Sequence, residues 1–337
     1  MQEISLPKVI FGTSGLGNLY VALPDTDKCA IVAESVRCSP KPAFFDSAGK
    51  YGAGLALESL GRSLSELNVD PSDVLISNKL GWLRTALKTP EPTFEPGVWV
   101  DLKHDAVQRI SYEGILECYE QGNDLLGQYQ AELVSVHDPD EYLIAAKDER
   151  EQASRYQDIL EAYRALDELK RGGKVRGIGV GSKDWRIIKR ITQDLKLDWV
   201  MIANSMTIHS HPRELVGFME ELEEQGTIII NSAVFNGGFL TGSDYYNYRL
   251  TDPIKDSRLY QWRELFYQLC RNYKIKPADA CVAFGLSVPG VNSIALNTTN
   301  AQRVEQNVAL ASLKIPSEFW KEMKDNGLIA SYAFDYL

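Results

Sequence analysis

Three stretches of the chain end an apolar run on side chains able to move protons: FFDSAGKYG carries Asp46 and Tyr51, VLISNK carries Lys79, and LVSVHD carries His137. A tyrosine hydroxyl titrates near ~10 in water, so at neutral pH it is a poor base and a tolerable acid. A lysine ammonium held beside it favours the phenolate, and an aspartate beside the lysine keeps that lysine charged. A histidine can orient the reacting oxygen or relay its proton. Such a quartet suits proton transfer to or from a carbonyl or alcohol oxygen while hydride moves at the carbon. No side chain carries hydride, so a redox cofactor is implied. A metal site is not expected, because the chain has only four histidines and no paired His or Cys at ligand spacing.

The four side chains can meet only if their apolar runs are neighbouring strands of one sheet. Short apolar, β-branched or aromatic runs recur near Val9, Phe44, Val74, Leu133, Ile178, Val200, Ile228 and Ile294. Amphipathic stretches separate them: Asp27 to Cys38, Leu55 to Leu67, Asp105 to Leu126, Tyr156 to Arg171, Asp184 to Leu195, Arg213 to Gln225, and two helices within Ser257 to Ser287. This alternation predicts a closed (β/α)8 TIM barrel, with the quartet at its C-terminal mouth; an open doubly wound sheet is the competing arrangement. No repeat, low-complexity tract or linker divides the sequence, so residues 1–337 are expected to form one barrel domain. Long loops are expected over 81–104 and 235–253, placed to shape or cover an active site. GTSGLGN, at Gly12 to Asn18, lacks the G-x-G-x-x-G spacing and reads as the turn after the first strand.

Bulk properties exclude some classes of partner. A net charge of −10 and a pI near 5.1 oppose nucleic-acid or anionic-membrane binding. The N-terminal residues do not read as a secretory signal, and no apolar run approaches the ~18 residues of a membrane helix. Five scattered cysteines read as reduced thiols. A cytoplasmic enzyme acting on a small molecule is expected, as a monomer or small homo-oligomer.

In order and spacing, FFDSAGKYG, SNKLGW and VSVHDPD resemble the catalytic segments of the aldo-keto reductases, and the resemblance runs from about Val9 to about Leu310. It implies a barrel binding NAD or NADP without a Rossmann domain. It further implies Tyr51 as general acid/base, Lys79 as its partner, Asp46 as the counter-ion of the lysine and His137 as the residue orienting substrate. By the same resemblance Ser182 and Asn204 would hold the nicotinamide amide, Phe235 and Gly237 in SAVFNGGFL the pyrophosphate, and Asn297, Thr298, Arg303, Gln306 and Asn307 the adenosine. Asn297 and Thr298 are expected to start a helix there. Basic residues that would meet a 2′-phosphate are missing at Asn297, Thr298 and Thr299, which favours NAD slightly, although Lys183 or Lys274 could reach in from elsewhere.

EPGVWVDLKHDAV, VHDPDEYL and NSAVFNGGFLTG resemble the aldose dehydrogenases, which oxidise galactose- or fucose-like sugars at the anomeric carbon; pyridoxal dehydrogenases are near neighbours. On that reading Trp82, Trp99 and His104 form a sugar platform. Alternatives are a general aldehyde or ketone reductase, or a non-catalytic nicotinamide-binding regulatory subunit. Each key residue also has a plainer role: Asp46 as a helix cap, Lys79 as a snorkelling lysine, His137 as a turn histidine, and the two tryptophans as packing.

Overall fold

The computed structural model describes residues 4–337. Eight parallel strands close into a barrel: β1 (Val9–Gly12), β2 (Ala43–Ala48), β3 (Val74–Leu80), β4 (Leu133–His137), β5 (Gly177–Ser182), β6 (Trp199–Ala203), β7 (Ile228–Ser232) and β8 (Val291–Leu296). Each pairs with its neighbours in sequence, and β1 pairs with β8 to close the ring. The strands are buried on both faces because helices cover the outside and side chains fill the inside, which is why their sequences read as apolar runs. Ile10, Phe44, Leu75, Leu133, Trp199, Met201 and Ile230 form the inner core.

Period two along the strands then decides what reaches the mouth. Phe44 and Leu75 lie in the inner core, so Asp46 and Ala48 on β2, and Ser77 and Lys79 on β3, share that inward face; the register sets Asp46 against Ser77 and Ala48 against Lys79. Leu133 fixes the same parity on β4 and turns His137 inward.

The outer layer includes α1 (Asp25–Cys38), α2 (Leu55–Glu66), α3 (Tyr112–Leu126), α4 (Glu149–Arg171), α5 (Trp185–Asp194), α6 (Arg213–Glu224), α7 (Ser257–Tyr273) and α8 (Pro277–Ser287). In α2 the buried set Ala56, Leu57, Leu60, Gly61 and Leu64 has helical spacing and faces the barrel.

The structure departs from the sequence expectations at several points. The helix expected from Asp105 starts only at Tyr112, where the Ser111 hydroxyl caps it by accepting from Gly114 N at 3.0 Å. Residues His104–Gln108 instead form a strand antiparallel to Trp82–Ala86, so the expected loop over 81–104 is largely a hairpin. The loop over 235–253 carries a second, smaller hairpin, Tyr245–Tyr246 against Arg249–Leu250. Asn297 and Thr298 do not start a helix: the cap is Asn300, whose side chain accepts from Gln302 N at the head of a 3-10 turn leading into α9 (Val304–Leu310). Short helices at Pro139–Ile144 and Ser317–Asp325 also carry no expectation from the sequence. Among the described residues, no helix is long and apolar enough to cross a membrane.

Candidate active site

Asp46 and Lys79 form the floor of the site. Lys79 Nζ donates to Asp46 Oδ2 at 2.5 Å and to the Ser47 carbonyl at 3.2 Å, and Ser77 Oγ donates to Asp46 Oδ1 at 2.7 Å. Both side chains of the pair are 5 % exposed. Burial opposes the lysine charge, but the Asp46 carboxylate and the Tyr51 oxygen outweigh it and hold the ammonium above the ordinary lysine range. Thr13, in the turn after β1, donates from both its amide and its hydroxyl to the Asp46 carbonyl, fastening that turn to β2.

Tyr51 sits in the turn after β2 with Lys79 Nζ 4.8 Å from its ring centroid. The His137 ring meets it edge-on at 5.6 Å and the Trp99 ring lies tilted at 5.8 Å. Two glycines allow this turn to pack so closely. A Cβ on Gly17 would lie 2.8 Å from the Tyr51 carbonyl, and one on Gly52, where φ is +61°, would lie 2.3 Å from Gly17 O. Burial raises the Tyr51 phenol above its ordinary value; Lys79 pulls it down, without overcoming burial, and Asp46 adds to the rise. Lys79 thus favours the phenolate, as the sequence reading has it, but burial is the larger influence, so the lysine limits a rise rather than bringing the phenol below its ordinary value. His137 is held neutral, well below the ordinary histidine range, by burial and by the charges of Lys50 and Lys79. Its Nδ1 is buried without a hydrogen-bond partner among the described residues.

A second layer, absent from the expectations, rims the mouth. Lys50 Nζ, beside Tyr51 in the chain, lies 2.7 Å from Glu95 Oε1 and 2.8 Å from Glu141 Oε2. Glu141 also pairs with Lys183, and Glu95 Oε2 accepts from the Trp99 indole at 2.6 Å. Lys50 lies inside FFDSAGKYG, but a single lysine in a glycine-flanked turn has no periodicity to announce it. Glu95 is brought in by long-range folding of the loop.

Of the expected substrate platform, Trp99 joins Tyr51, whereas Trp82 packs on Phe94 at 5.7 Å and under Lys50 Nζ at 5.3 Å. His104 pairs with Ala86 at the hairpin's far end, where its charged neighbours are Arg84, Glu58 and Lys103 and no described ring or hydrogen-bond contact joins it to the tetrad.

The expected cofactor residues lie at the ends of β5 to β8. Ser182 closes β5 and its hydroxyl donates to the Asp184 carbonyl at 3.1 Å. Asn204 follows β6 in the left-handed region with φ 59°, and its buried Oδ1 has no partner among the described residues. Phe235 is half-buried against the core, and Gly237 has φ +72° in the irregular turn after β7. Asn297 Nδ2 donates to Ser14 Oγ at 2.8 Å across the β1/β8 seam. Thr298 and the half-buried Asn307 line a small cavity with Gly12 and Thr13, while Arg303 and Gln306 are exposed. Lys183 is committed to Glu141 and Asp138, away from this segment.

The chain matches the family described as "Aldo/keto reductase family" over residues 8–326. It belongs to that family. This aldo/keto reductase is therefore an oxidoreductase of barrel fold. It is 26% identical over 327 residues to a pyridoxal 4-dehydrogenase of Microbacterium luteolum, covering 95% of this chain and 93% of that one. It is 25% identical over 343 residues to a D-threo-aldose 1-dehydrogenase of a Pseudomonas species, covering 97% and 95%. Among solved structures, an aldo-keto reductase of Bacillus halodurans in its holo form superposes with a TM-score of 0.68 at 18% identity, covering 96% of this chain and 92% of that one.

Proposed function

We propose that this aldo/keto reductase transfers hydride between a nicotinamide cofactor and the anomeric carbon of an aldose, giving a lactone in the oxidative direction, with Tyr51 as general acid/base. The observation that carries the reading is the buried assembly of Tyr51, the Lys79–Asp46 pair and a neutral His137 at one mouth, in a chain similar to an aldose dehydrogenase. The reading includes one barrel domain over residues 1–337 and a cytoplasmic location.

The residues after β5 to β8 suit a nicotinamide dinucleotide. Asn204 Oδ1 is a buried acceptor without a partner, which an amide N–H would satisfy, and Ser182 lies at the end of the adjacent strand. Phe235 and the glycine-bearing turn at Gly237 would face the pyrophosphate, and Asn297, Thr298, Arg303, Gln306 and Asn307 the adenosine. When bound, the nicotinamide supplies the hydride acceptor or donor. NAD is slightly favoured over NADP. Asn297, Thr298 and Thr299 are neutral, and Arg37, the cation 3.5 Å from Glu305 of that segment, is already paired with Glu34 at 2.7 Å.

In oxidation the Tyr51 oxygen takes the proton of the anomeric hydroxyl, and in reduction it returns one to the carbonyl oxygen. Lys79 stabilises the phenolate form, and Asp46 keeps Lys79 charged and fixed. Neutral His137 offers the substrate oxygen an uncharged hydrogen bond. Trp99 packs beside Tyr51 and, being 7 % exposed in a cluster with Ala53, Phe94 and Ala106, would meet the C–H side of a pyranose only with the part of its ring left open. Trp82 and His104 have no part in this step.

The similarity to a pyridoxal 4-dehydrogenase favours pyridoxal as the second substrate reading. Purified protein incubated with each cofactor and a panel of aldoses, pyridoxal and simple aldehydes, followed at the nicotinamide absorbance, tests both. Lactone formation from an aldose supports the first reading, turnover confined to pyridoxal or simple aldehydes replaces it, and no turnover of any of them removes both.

A further inference from the structure

Asp138, the residue after His137, holds an unusual position. Its backbone lies in the left-handed region at φ 44°, immediately before Pro139 and the start of a short helix. Its Oδ2 lies 3.4 Å from Lys183 Nζ, 3.6 Å from His137 Nε2 and 3.7 Å from Lys50 Nζ. Three nitrogens therefore surround one carboxylate oxygen, each beyond the 2.7–3.2 Å of a well-formed N–H···O bond. Both lysines spend their short contacts elsewhere, Lys50 on Glu95 and Glu141, and Lys183 on Glu141. Such spacing around a largely buried carboxylate suits a hydroxyl group seated among them, donating to Asp138 and accepting from a lysine. The cluster adjoins the reacting group through His137, which lies 3.6 Å from Asp138 Oδ2 and meets the Tyr51 ring edge-on at 5.6 Å.

We propose that Asp138, with Lys50 and Lys183, forms a hydroxyl-binding subsite that selects neutral, polyhydroxylated substrates. The inference rests on the reading of Tyr51 as the proton-transfer residue of a carbonyl or aldose oxidoreductase. Charge sharpens the selection. Lys50 and Lys183 contribute two ammoniums, and Glu95, Asp138 and Glu141 contribute three carboxylates, so the rim carries a net negative charge. A neutral polyol meets donors and acceptors there, whereas a phosphate ester meets repulsion.

Asp138→Asn is the informative substitution, since asparagine tolerates the left-handed backbone that most residues resist and preserves the shape of the side chain. Cofactor-loaded wild type and D138N are compared in the reduction of glyceraldehyde, which carries hydroxyls, and of propanal, which carries none. The loss of kcat/KM on glyceraldehyde should exceed that on propanal by about tenfold or more, the scale of a hydrogen bond to a charged group. Wild type should also prefer glyceraldehyde to glyceraldehyde 3-phosphate by more than about tenfold, and Glu141→Gln should narrow that preference. Equal losses on the two uncharged aldehydes, or a phosphate ester used as well as its parent, would overturn the subsite. If wild type neither reduces these aldehydes nor oxidises any aldose or pyridoxal, the proton-transfer reading fails on its own terms. Calorimetric titration of galactose into the loaded proteins then decides the subsite separately: binding weakened about tenfold by D138N upholds it, and unchanged or absent wild-type binding overturns it.

Discussion

Removing the Lys79 ammonium while keeping its aliphatic stem, by Lys79→Met, separates the electrostatic role of this residue from its packing. The ammonium donates at 2.5 Å to an Asp46 carboxylate, with both side chains 5 % exposed. Breaking a buried pair by deleting one partner costs about 3–5 kcal/mol, because the other charge is left uncompensated. Ser77 still donates to Asp46 at 2.7 Å, which places the expected loss at the lower end, about 3 kcal/mol. Asp46→Asn combined with Lys79→Met removes both charges and should recover part of that loss, giving a coupling energy of about 2 kcal/mol in urea unfolding of the four proteins. The same variant bears on catalysis. On the proposed reading oxidation needs the Tyr51 phenolate, so its rate should climb as pH rises through the titration of that phenol. Burial raises that titration and Lys79 restrains the rise, so K79M should move the climb to higher pH and lower the rate at neutral pH. Stabilities additive within about 0.5 kcal/mol, or a climb that stays in place in a variant with measurable turnover, would refute this account of the pair.

His137 is held neutral by burial and by Lys50 and Lys79, so the pH profile of kcat/KM should show no step near the ordinary histidine pKa of ~6.5 that His137→Gln removes; such a step would show that the ring titrates in the working range. The same depressed pKa fixes a stability trend. The unfolded chain protonates His137 as pH falls through ~6.5 while the folded one does not, so the native state loses stability below that pH; His137→Gln should make this acid limb of the urea midpoint shallower, the similarly depressed His209 and His211 keeping the rest of it. Gly17→Ala would place a Cβ 2.8 Å from the Tyr51 carbonyl, so turnover should fall by about tenfold or more while the far-ultraviolet circular dichroism stays native; unchanged kinetics would mean that the turn relaxes freely. For the cofactor, kcat/KM with NAD should equal or exceed that with NADP at one salt concentration, and an NADP preference above about tenfold, or ~1.4 kcal/mol, would reveal a cation completing a 2′-phosphate pocket.

Asp46, Lys79 and His137 were legible because each stands at the polar end of an apolar run, and strand parity does the rest: once Phe44, Leu75 and Leu133 fill the barrel, the three share the interior, with Tyr51 in the turn that follows β2. Eight runs separated by amphipathic stretches likewise announced the barrel. The His104–Gln108 strand escaped because its partner, Trp82–Ala86, lies about twenty residues away and its side chains run smoothly into the helical pattern of α3; Ser111, a good N-cap, was the available sign of the true start. The rim formed by Lys50, Glu95, Asp138, Glu141 and Lys183 was hidden for a different reason. Its members come from the loops after β2, β3, β4 and β5, and charged residues on separate loops carry no spacing that reveals their meeting.

The most direct test of the central claim is Tyr51→Phe, which removes one oxygen and keeps the ring against Trp99 and His137. Turnover of the best substrate in the panel is measured for wild type and Y51F beside cofactor affinity from quenching of protein fluorescence. The account predicts that turnover falls by about 10²–10⁴-fold, the range of a lost general acid/base, while cofactor affinity stays within a few-fold. Turnover within about tenfold of wild type would contradict it and assign the proton to another group.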